Sequence, residues 1–175
     1  MKSLVLFRHG KSDWDAGYDV DHSRPLAKRG RKAAALMGAY LAGVGERPDL
    51  VITSSARRAR DTAERAAARG RWRCEIQVAD RLYEASPEVV LDVVCGLDDD
   101  LDRVVLVGHE PAWSGVLGRL VGEASARVPT AAMASVALAI DTWRDVAFGC
   151  ATLRWLVLPR HLRRIGWVPG ATRDA

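Results

Sequence analysis

Cysteine is scarce in this sequence, and the few present lie apart: Cys74, Cys95 and Cys150 are odd in number and share no CxxC spacing. That pattern argues against a disulfide framework and against a zinc site, and it fits buried thiols in a reducing compartment. Long apolar runs are also missing. No stretch approaches the roughly 18 residues that a membrane span requires, and the short run after Lys2 ends in charge. Neither a spanning helix nor a secretory signal is therefore expected, and a cytoplasmic protein is. No internal repeat, low-complexity linker or shift in composition divides the chain, so one domain over residues 1–175 is expected. The acidic run Asp98-Asp99-Asp100 lacks the alternating ligands and the glycine of a calcium loop and reads as a solvated turn. Basic residues outnumber acidic ones, 26 against 22, for a net charge of +4. They are dispersed and accompany no nucleic-acid motif, which favours a pocket for anions over a nucleic-acid partner.

What is present is an alternation of strand-like and helix-like segments. Leu4 to Phe7 is an unbroken apolar run, as in a strand buried on both faces, and it delivers Arg8-His9-Gly10 where the strand ends. Lys11 to Arg24 is polar and reads as a surface loop. From Lys28 a helix is expected, with Ala33, Leu36, Met37, Tyr40, Leu41 and Val44 on one face and Gly43 and Gly45 at its stop. Asp49 to Thr53 is a second strand, and Ser54 or Ser55 is placed to cap the next helix. That helix shows a face of small residues, Ala59, Thr62, Ala63, Ala66 and Ala67, suited to lie close on a sheet. Cys74 to Val78 is a weak strand. Ser86 as cap, Pro87 at the first helical position and Glu88 in the first turn open a third helix, with Val89, Val90, Val93 and Val94 facing inward. Val104 to Val107 is another buried run, followed by Gly108-His109, and Ala112 to Val121 is helical. Ser135 to Ile140 and Thr152 to Leu158 resemble two strands, and the basic tail from Pro159 reads as a surface segment. Such an order implies βαβ units: an α/β protein with a mainly parallel sheet covered on both faces, with an antiparallel pair at its end.

Ligands of open α/β sheets bind outside the carboxyl ends of the strands. Two buried strands here end in a histidine, and the first histidine follows an arginine. Arg57, Arg58 and Arg60 open the helix after the second strand, at the partially positive end of its dipole, where an anion rather than a cation is welcome. Spacing alone does not choose among these three arginines. All these groups can converge above one sheet edge.

Together, Leu6-Phe7-Arg8-His9-Gly10-Lys11-Ser12-Asp13-Trp14, Arg24-Pro25-Leu26 with Arg29-Gly30, Ser54-Ser55-Ala56-Arg57-Arg58-Ala59 with Thr62, Leu82-Tyr83-Glu84 and Val107-Gly108-His109 resemble the histidine phosphatase superfamily. The likeness runs in order to about Leu138 and is nearest to the SixA-type phosphohistidine phosphatases. It implies a three-layer α/β/α, phosphoglycerate-mutase-like fold and a metal-independent phosphatase without cofactor. By the same resemblance, His9 is the expected phosphoryl acceptor, with its other ring nitrogen donating to a backbone carbonyl. Arg8 and Arg58 match the arginines that hold phosphoryl oxygens, and Ser12 falls in the same substrate-binding set. His109 matches a second pocket histidine, expected charged. Glu84 falls where many members keep a general acid for an alcohol leaving group; its other reading is a surface carboxylate.

Three departures stand out. Asp15 replaces a phosphate-contacting asparagine, Ala27 replaces the hydroxyl residue that caps the first helix, and Ser55 replaces a common proline. The expected substrate is a phosphorylated one, first of all a phosphohistidine protein. The nearest alternative is a small phosphomonoester such as a sugar phosphate or phosphoglycerate. A non-catalytic phosphate- or nucleic-acid-binding module is the alternative of another class, and the intact His9, Arg8, Arg58 and His109 speak against it.

Overall fold

The apolar run near the N-terminus forms β1 (Lys2–Arg8), in which Leu4, Leu6 and Phe7 are wholly buried. Burial of each such side chain contributes about 1.5–3 kcal/mol, so the strand is held firmly on both faces. The computed structural model describes residues 1–169; residues 170–175 of the expected domain lie outside them. After β1 come α1 (Lys28–Gly43), β2 (Leu50–Ser54), α2 (Arg57–Gly70), β3 (Glu75–Ala79) and α3 (Pro87–Cys95). They are followed by β4 (Arg103–Gly108), α4 (Ala112–Leu120), β5 (Met133–Leu138), β6 (Ala151–Val157) and α5 (Pro159–Arg164).

The strands form one sheet in the order β3-β2-β4-β1-β5-β6. β1 to β4 run parallel, and β5 and β6 join antiparallel on the β1 side. Alternate residues of each central strand face opposite layers. Leu4, Leu6, Val104 and Leu106 meet α3 and α4 through Val90, Val94, Trp113 and Leu117. Val5, Phe7, Val105 and Val107 meet α1, α2 and α5 through Met37, Leu41, Ala63 and Leu162. The fold is therefore a three-layer α/β/α sandwich with a mainly parallel sheet, as the pattern of runs implied. Among the described residues, no helix is long and apolar enough to cross a membrane.

Several local expectations change. Val44 is the C-cap of α1, where the chain leaves the helix just past Gly43, and its side chain is 43% exposed instead of continuing the core-facing stripe. The small face of α2 lies against α1 as well as the sheet: a Cβ on Gly38 would overlap the Ala66 carbonyl. Val90 and Val94, four residues apart on one face of α3, are buried, but Val89 and Val93 beside them only half so. The stretch from Lys11 to Arg24 is not wholly surface, for Ser12 and Arg24 are buried and Ser12 forms a β-bridge with Leu26. The tail from Pro159 lies at the surface, with Arg160, Arg163 and Arg164 exposed, but it is folded and anchored. It forms α5 with Pro159 and Leu162 buried, and Trp167 stacks edge-on against Tyr40. As the sequence suggested, Ala27 gives α1 no side-chain cap, whereas Ser86 accepts a bond from the Val89 amide at 3.4 Å.

Candidate active site

Register decides where the two histidines go. β1 and β4 pair with Arg8 opposite Gly108, so the next residue of each strand, His9 and His109, emerges beside the other at the carboxyl edge. The His9 amide continues the ladder by donating to the Gly108 carbonyl at 3.0 Å. The two rings lie 5.0 Å apart between centroids, and both residues are buried. β2 pairs with β4 as far as Thr53 opposite Val107, which brings Ser54 under the second histidine. The Ser54 hydroxyl and His109 Nε2 are 2.8 Å apart.

His9 Nδ1 lies 2.7 Å from the Gly10 carbonyl oxygen. A carbonyl only accepts, so Nδ1 carries the proton and Nε2 the lone pair. This is the tautomer the sequence reading called for. Burial, with the neighbouring His109 and the Arg58 and Arg8 guanidiniums, pushes the His9 pKa down to about 3, against the opposing pull of the Gly10 carbonyl. The ring is thus neutral at physiological pH. His109 behaves likewise: burial first, then Arg58, pushes it down to about 4, with Asp21 opposing. The expectation of a charged His109 does not hold in the free pocket, because a buried ring among guanidiniums gains nothing from a further positive charge.

Of the three arginines that spacing left open, Arg58 is buried while Arg57 and Arg60 are exposed. Arg57 turns outward toward Asp61 at 3.8 Å. Arg58 donates through Nη1 to the Asp21 carbonyl at 2.8 Å and pairs through Nη2 with the Asp21 carboxylate at 3.0 Å. Arg8 donates to the Val128 carbonyl at 3.0 Å. Its pKa is lowered from the usual value, chiefly by burial, with Glu110 opposing. Arg24, to which the sequence reading gave no role, is also buried here; it holds the other Asp21 oxygen at 2.6 Å and stacks on Trp14 at 3.4 Å. Tyr83 adds a hydroxyl donor to Asp21 at 3.3 Å. Burial raises the Asp21 pKa, but Arg58 and Arg24 outweigh it and the net direction is down. Asp21 is thus an ionised carboxylate held between two buried guanidiniums, in the place where an anion is attracted.

Neither Ser54 nor Ser55 caps α2, whose N-cap is Ala56 without a side-chain bond. Ser54 is engaged by His109 and Ser55 by His22 Nε2 at 3.0 Å. Both hydroxyls meet imidazoles, and Ser54 Oγ in addition accepts from the amide of the N-cap residue Ala56 at 3.4 Å. Thr62 Oγ1 accepts from the Gly10 amide at 3.0 Å and donates to the Arg58 carbonyl at 2.6 Å, tying the His9 loop to α2. A Cβ on Gly10 would stand 2.8 Å from the Gly30 carbonyl oxygen, and one on Gly30 would overlap the Lys11 carbonyl. The two glycines let the loop after His9 lie backbone to backbone on the start of α1.

The structure brings His9, His109, Arg8 and Arg58 to one edge, with Ser12 buried in the adjoining loop. Glu84 is exposed, at φ 52°, and among the described residues it makes no hydrogen bond to this cluster. It lines a cavity of about 560 Å³ that His109, Glu110, Leu82, Pro87 and Pro111 also border. Asp21, Arg24, Ser54 and Glu110 are the residues sequence reasoning missed. Glu110 follows His109 directly and keeps Oε1 buried without a partner among the described residues. Arg24-Pro25-Leu26 was a visible signal for Arg24; Asp21 had none, since an aspartate in a polar loop is ordinary. Among the described residues, no three His, Cys, Asp or Glu side chains are grouped to hold a metal ion.

A mainly parallel α/β/α sandwich with two histidines and buried arginines at the carboxyl edge of its central strands is the architecture of a phosphoglycerate-mutase-like enzyme. The family model of the histidine phosphatase superfamily (branch 1) matches residues 4–90. An uncharacterised protein of Mycobacterium tuberculosis is 35% identical over 163 residues, covering 87% of this chain and 99% of the relative. The structure of the putative phosphohistidine phosphatase SixA from Nakamurella multipartitia superimposes with a TM-score of 0.79 at 26% identity, covering 90% of this chain and 96% of that one. The protein histidine phosphatase SixA complexed with tungstate gives a TM-score of 0.79 at 25% identity, over 91% of this chain and 99% of that one. The chain belongs to the histidine phosphatase superfamily, and it is a phosphatase that acts on a phosphorylated substrate.

Proposed function

We propose that the chain is a metal-independent phosphohistidine phosphatase that works through a phosphoryl group carried transiently on His9. The observation that carries this reading is the 2.7 Å bond from His9 Nδ1 to the Gly10 carbonyl, which frees Nε2 as a neutral nucleophile inside a pocket of buried cations. Arg8 and Arg58 hold the phosphoryl oxygens, Ser12 supports them from the adjoining loop, and Asp21 yields its guanidinium donors as substrate enters. Nε2 attacks phosphorus in line, the bond from phosphorus to the leaving nitrogen breaks, and that nitrogen takes up a proton. Water then attacks phospho-His9; the P–N bond breaks, phosphate leaves with the water's oxygen, and His9 regains its lone pair. Phosphoryl transfer asks mainly for positioning and charge stabilisation, and the guanidiniums supply both. His109 Nδ1, buried and without a partner among the described residues, is the ring atom left to meet a phosphoryl oxygen.

The likeness to SixA phosphohistidine phosphatases at 25–26% identity supports phosphohistidine as the substrate class. This reading does not require Glu84, because a leaving imidazole needs little acid assistance. A small phosphomonoester is the second reading, favoured by Glu84 and Glu110 sharing the cavity beside His109. A substrate panel decides between them: a phosphohistidine protein, sugar phosphates and phosphoglycerates, each with wild type and with Glu84→Gln. The proposed function predicts highest kcat/KM on the phosphohistidine protein, little changed by Glu84→Gln and unaffected by EDTA. Preference for an alcohol ester, lost in Glu84→Gln, would establish the second reading instead.

A further inference from the structure

A second concavity lies at the same edge of the sheet, on the side of β5 and β6. It encloses about 340 Å³, and its rim carries Lys11, Arg29, Arg160 and Arg163. These come from three separate places in the chain: the loop after β1, the first turn of α1, and α5. Its floor is apolar, with Ala33, Leu158 and Pro159. No carboxylate lines it, and none of its four cations forms an ion pair among the described residues. Arg81, Arg119 and Arg154, by contrast, each pair with an acidic side chain elsewhere on the surface. His9, Arg8, Arg58 and His109 do not line this cavity, so it is separate from the site described above.

Four like charges lining one hollow, with no carboxylate among them, repel one another, and an anion bound between them would relieve that repulsion. The volume sits at the lower end of the range for small-molecule pockets, roughly 300–1,000 Å³, which sets a limit on the ligand. Two or more guanidiniums suit phosphoryl oxygens better than a lone carboxylate, because each planar fork can hold two oxygens of one group. We infer that this cavity is a binding site for a small ligand carrying two adjacent phosphoryl groups.

The site shares a wall with the catalytic loop. The Ala131 amide, on its rim, donates to the carbonyls of Arg8 and His9 at 3.1 Å. Lys11 follows His9 and Gly10 in the chain, and Gly30 in the cavity wall is packed on the Lys11 backbone. A ligand held by Lys11 therefore sits one residue along the chain from the Gly10 carbonyl that orients the His9 ring.

The test is calorimetric titration with methylenediphosphonate, whose P–C–P linkage resists hydrolysis, at low ionic strength. Wild type is expected to show two binding events. Arg160→Gln with Arg163→Gln weakens one of them by at least about tenfold, as expected for the loss of two charge-assisted contacts. The same double variant keeps its rate on an aryl phosphate. Arg58→Gln removes the other event only. Arg160→Lys with Arg163→Lys, which keeps the charge but loses the forks, retains both events, with the affected one weakened less than in the glutamine variant, which separates loss of charge from damage to α5. A single event in wild type that Arg58→Gln abolishes would overturn the inference, as would unchanged binding in the Arg160→Gln, Arg163→Gln variant. Tighter binding of citrate than of the diphosphonate at this site would overturn the assignment of ligand class.

Discussion

Acidifying the protein from pH 7.5 to 5.0 is expected to cost it stability through two particular side chains. His9 and His109 are held near 3 and 4 in the fold, chiefly by burial, and both return to about 6.5 in the unfolded chain. Below pH 6.5 the unfolded state therefore binds two protons that the folded state refuses. Stability from this source is fully present above that value and is lost as pH falls from there toward the folded pKa values. At pH 5.0 each proton taken up by the unfolded chain is worth about 2 kcal/mol, so the pair removes about 4 kcal/mol. That is a large share of the roughly 5–15 kcal/mol that holds a domain together. Urea denaturation at the two pH values measures it, compared with a His9→Gln, His109→Gln variant in which neither group titrates. The double variant is expected to lose far less between pH 7.5 and 5.0, whatever its stability at neutral pH. Parallel losses in the two proteins, within about 0.5 kcal/mol, would show that the histidines are not held neutral by burial and would refute the reasoning.

Three further perturbations test the neighbouring contacts. Gly30→Ala places a Cβ on the Lys11 carbonyl and displaces the loop whose Gly10 carbonyl orients His9; kcat is expected to fall about 100-fold, as for misplacement of a reacting group by about 1 Å, while circular dichroism stays native. Asp21→Asn removes the carboxylate that competes for Arg24 and Arg58. Inhibition by inorganic phosphate is then expected to strengthen about fivefold, and an unchanged inhibition constant would count against an anion pocket at these guanidiniums. Ser54→Ala leaves His109 Nε2 buried without its 2.8 Å partner; a loss of about 1–3 kcal/mol in unfolding free energy is expected, together with a drop in kcat, and Ser54→Thr is expected to restore both.

The strands Leu4 to Phe7 and Val104 to Val107 were legible because a strand buried on both faces writes itself as an unbroken apolar run. The helices were legible from their stripes, and α3 from the Ser86-Pro87-Glu88 start. What local pattern could not supply was partnership. Ser54 and Ser55 looked like caps because a serine before a helix ordinarily is one; only the β2–β4 register, a tertiary fact, puts Ser54 under His109. Arg57, Arg58 and Arg60 are alike in sequence, and the direction in which α2 leaves β2 buries just one of them. Asp21 was invisible for the same reason, since its importance comes from two guanidiniums, one of them 37 positions away. The expected charge on His109 failed because burial, which no motif displays, outweighs the pull of one exposed carboxylate.

The central claim is that His9 takes the phosphoryl group onto its own ring. Rapid quenching of the enzyme with a radiolabelled phosphohistidine protein, under conditions that preserve acid-labile phosphate, tests it directly, with intact and peptide mass spectrometry to place the label. The account predicts one phosphoryl group per chain, stable in alkali, labile in acid, located on His9 and absent from His9→Gln. Turnover without any trapped phosphoenzyme in wild type, label on another residue, or full activity in His9→Gln would contradict it.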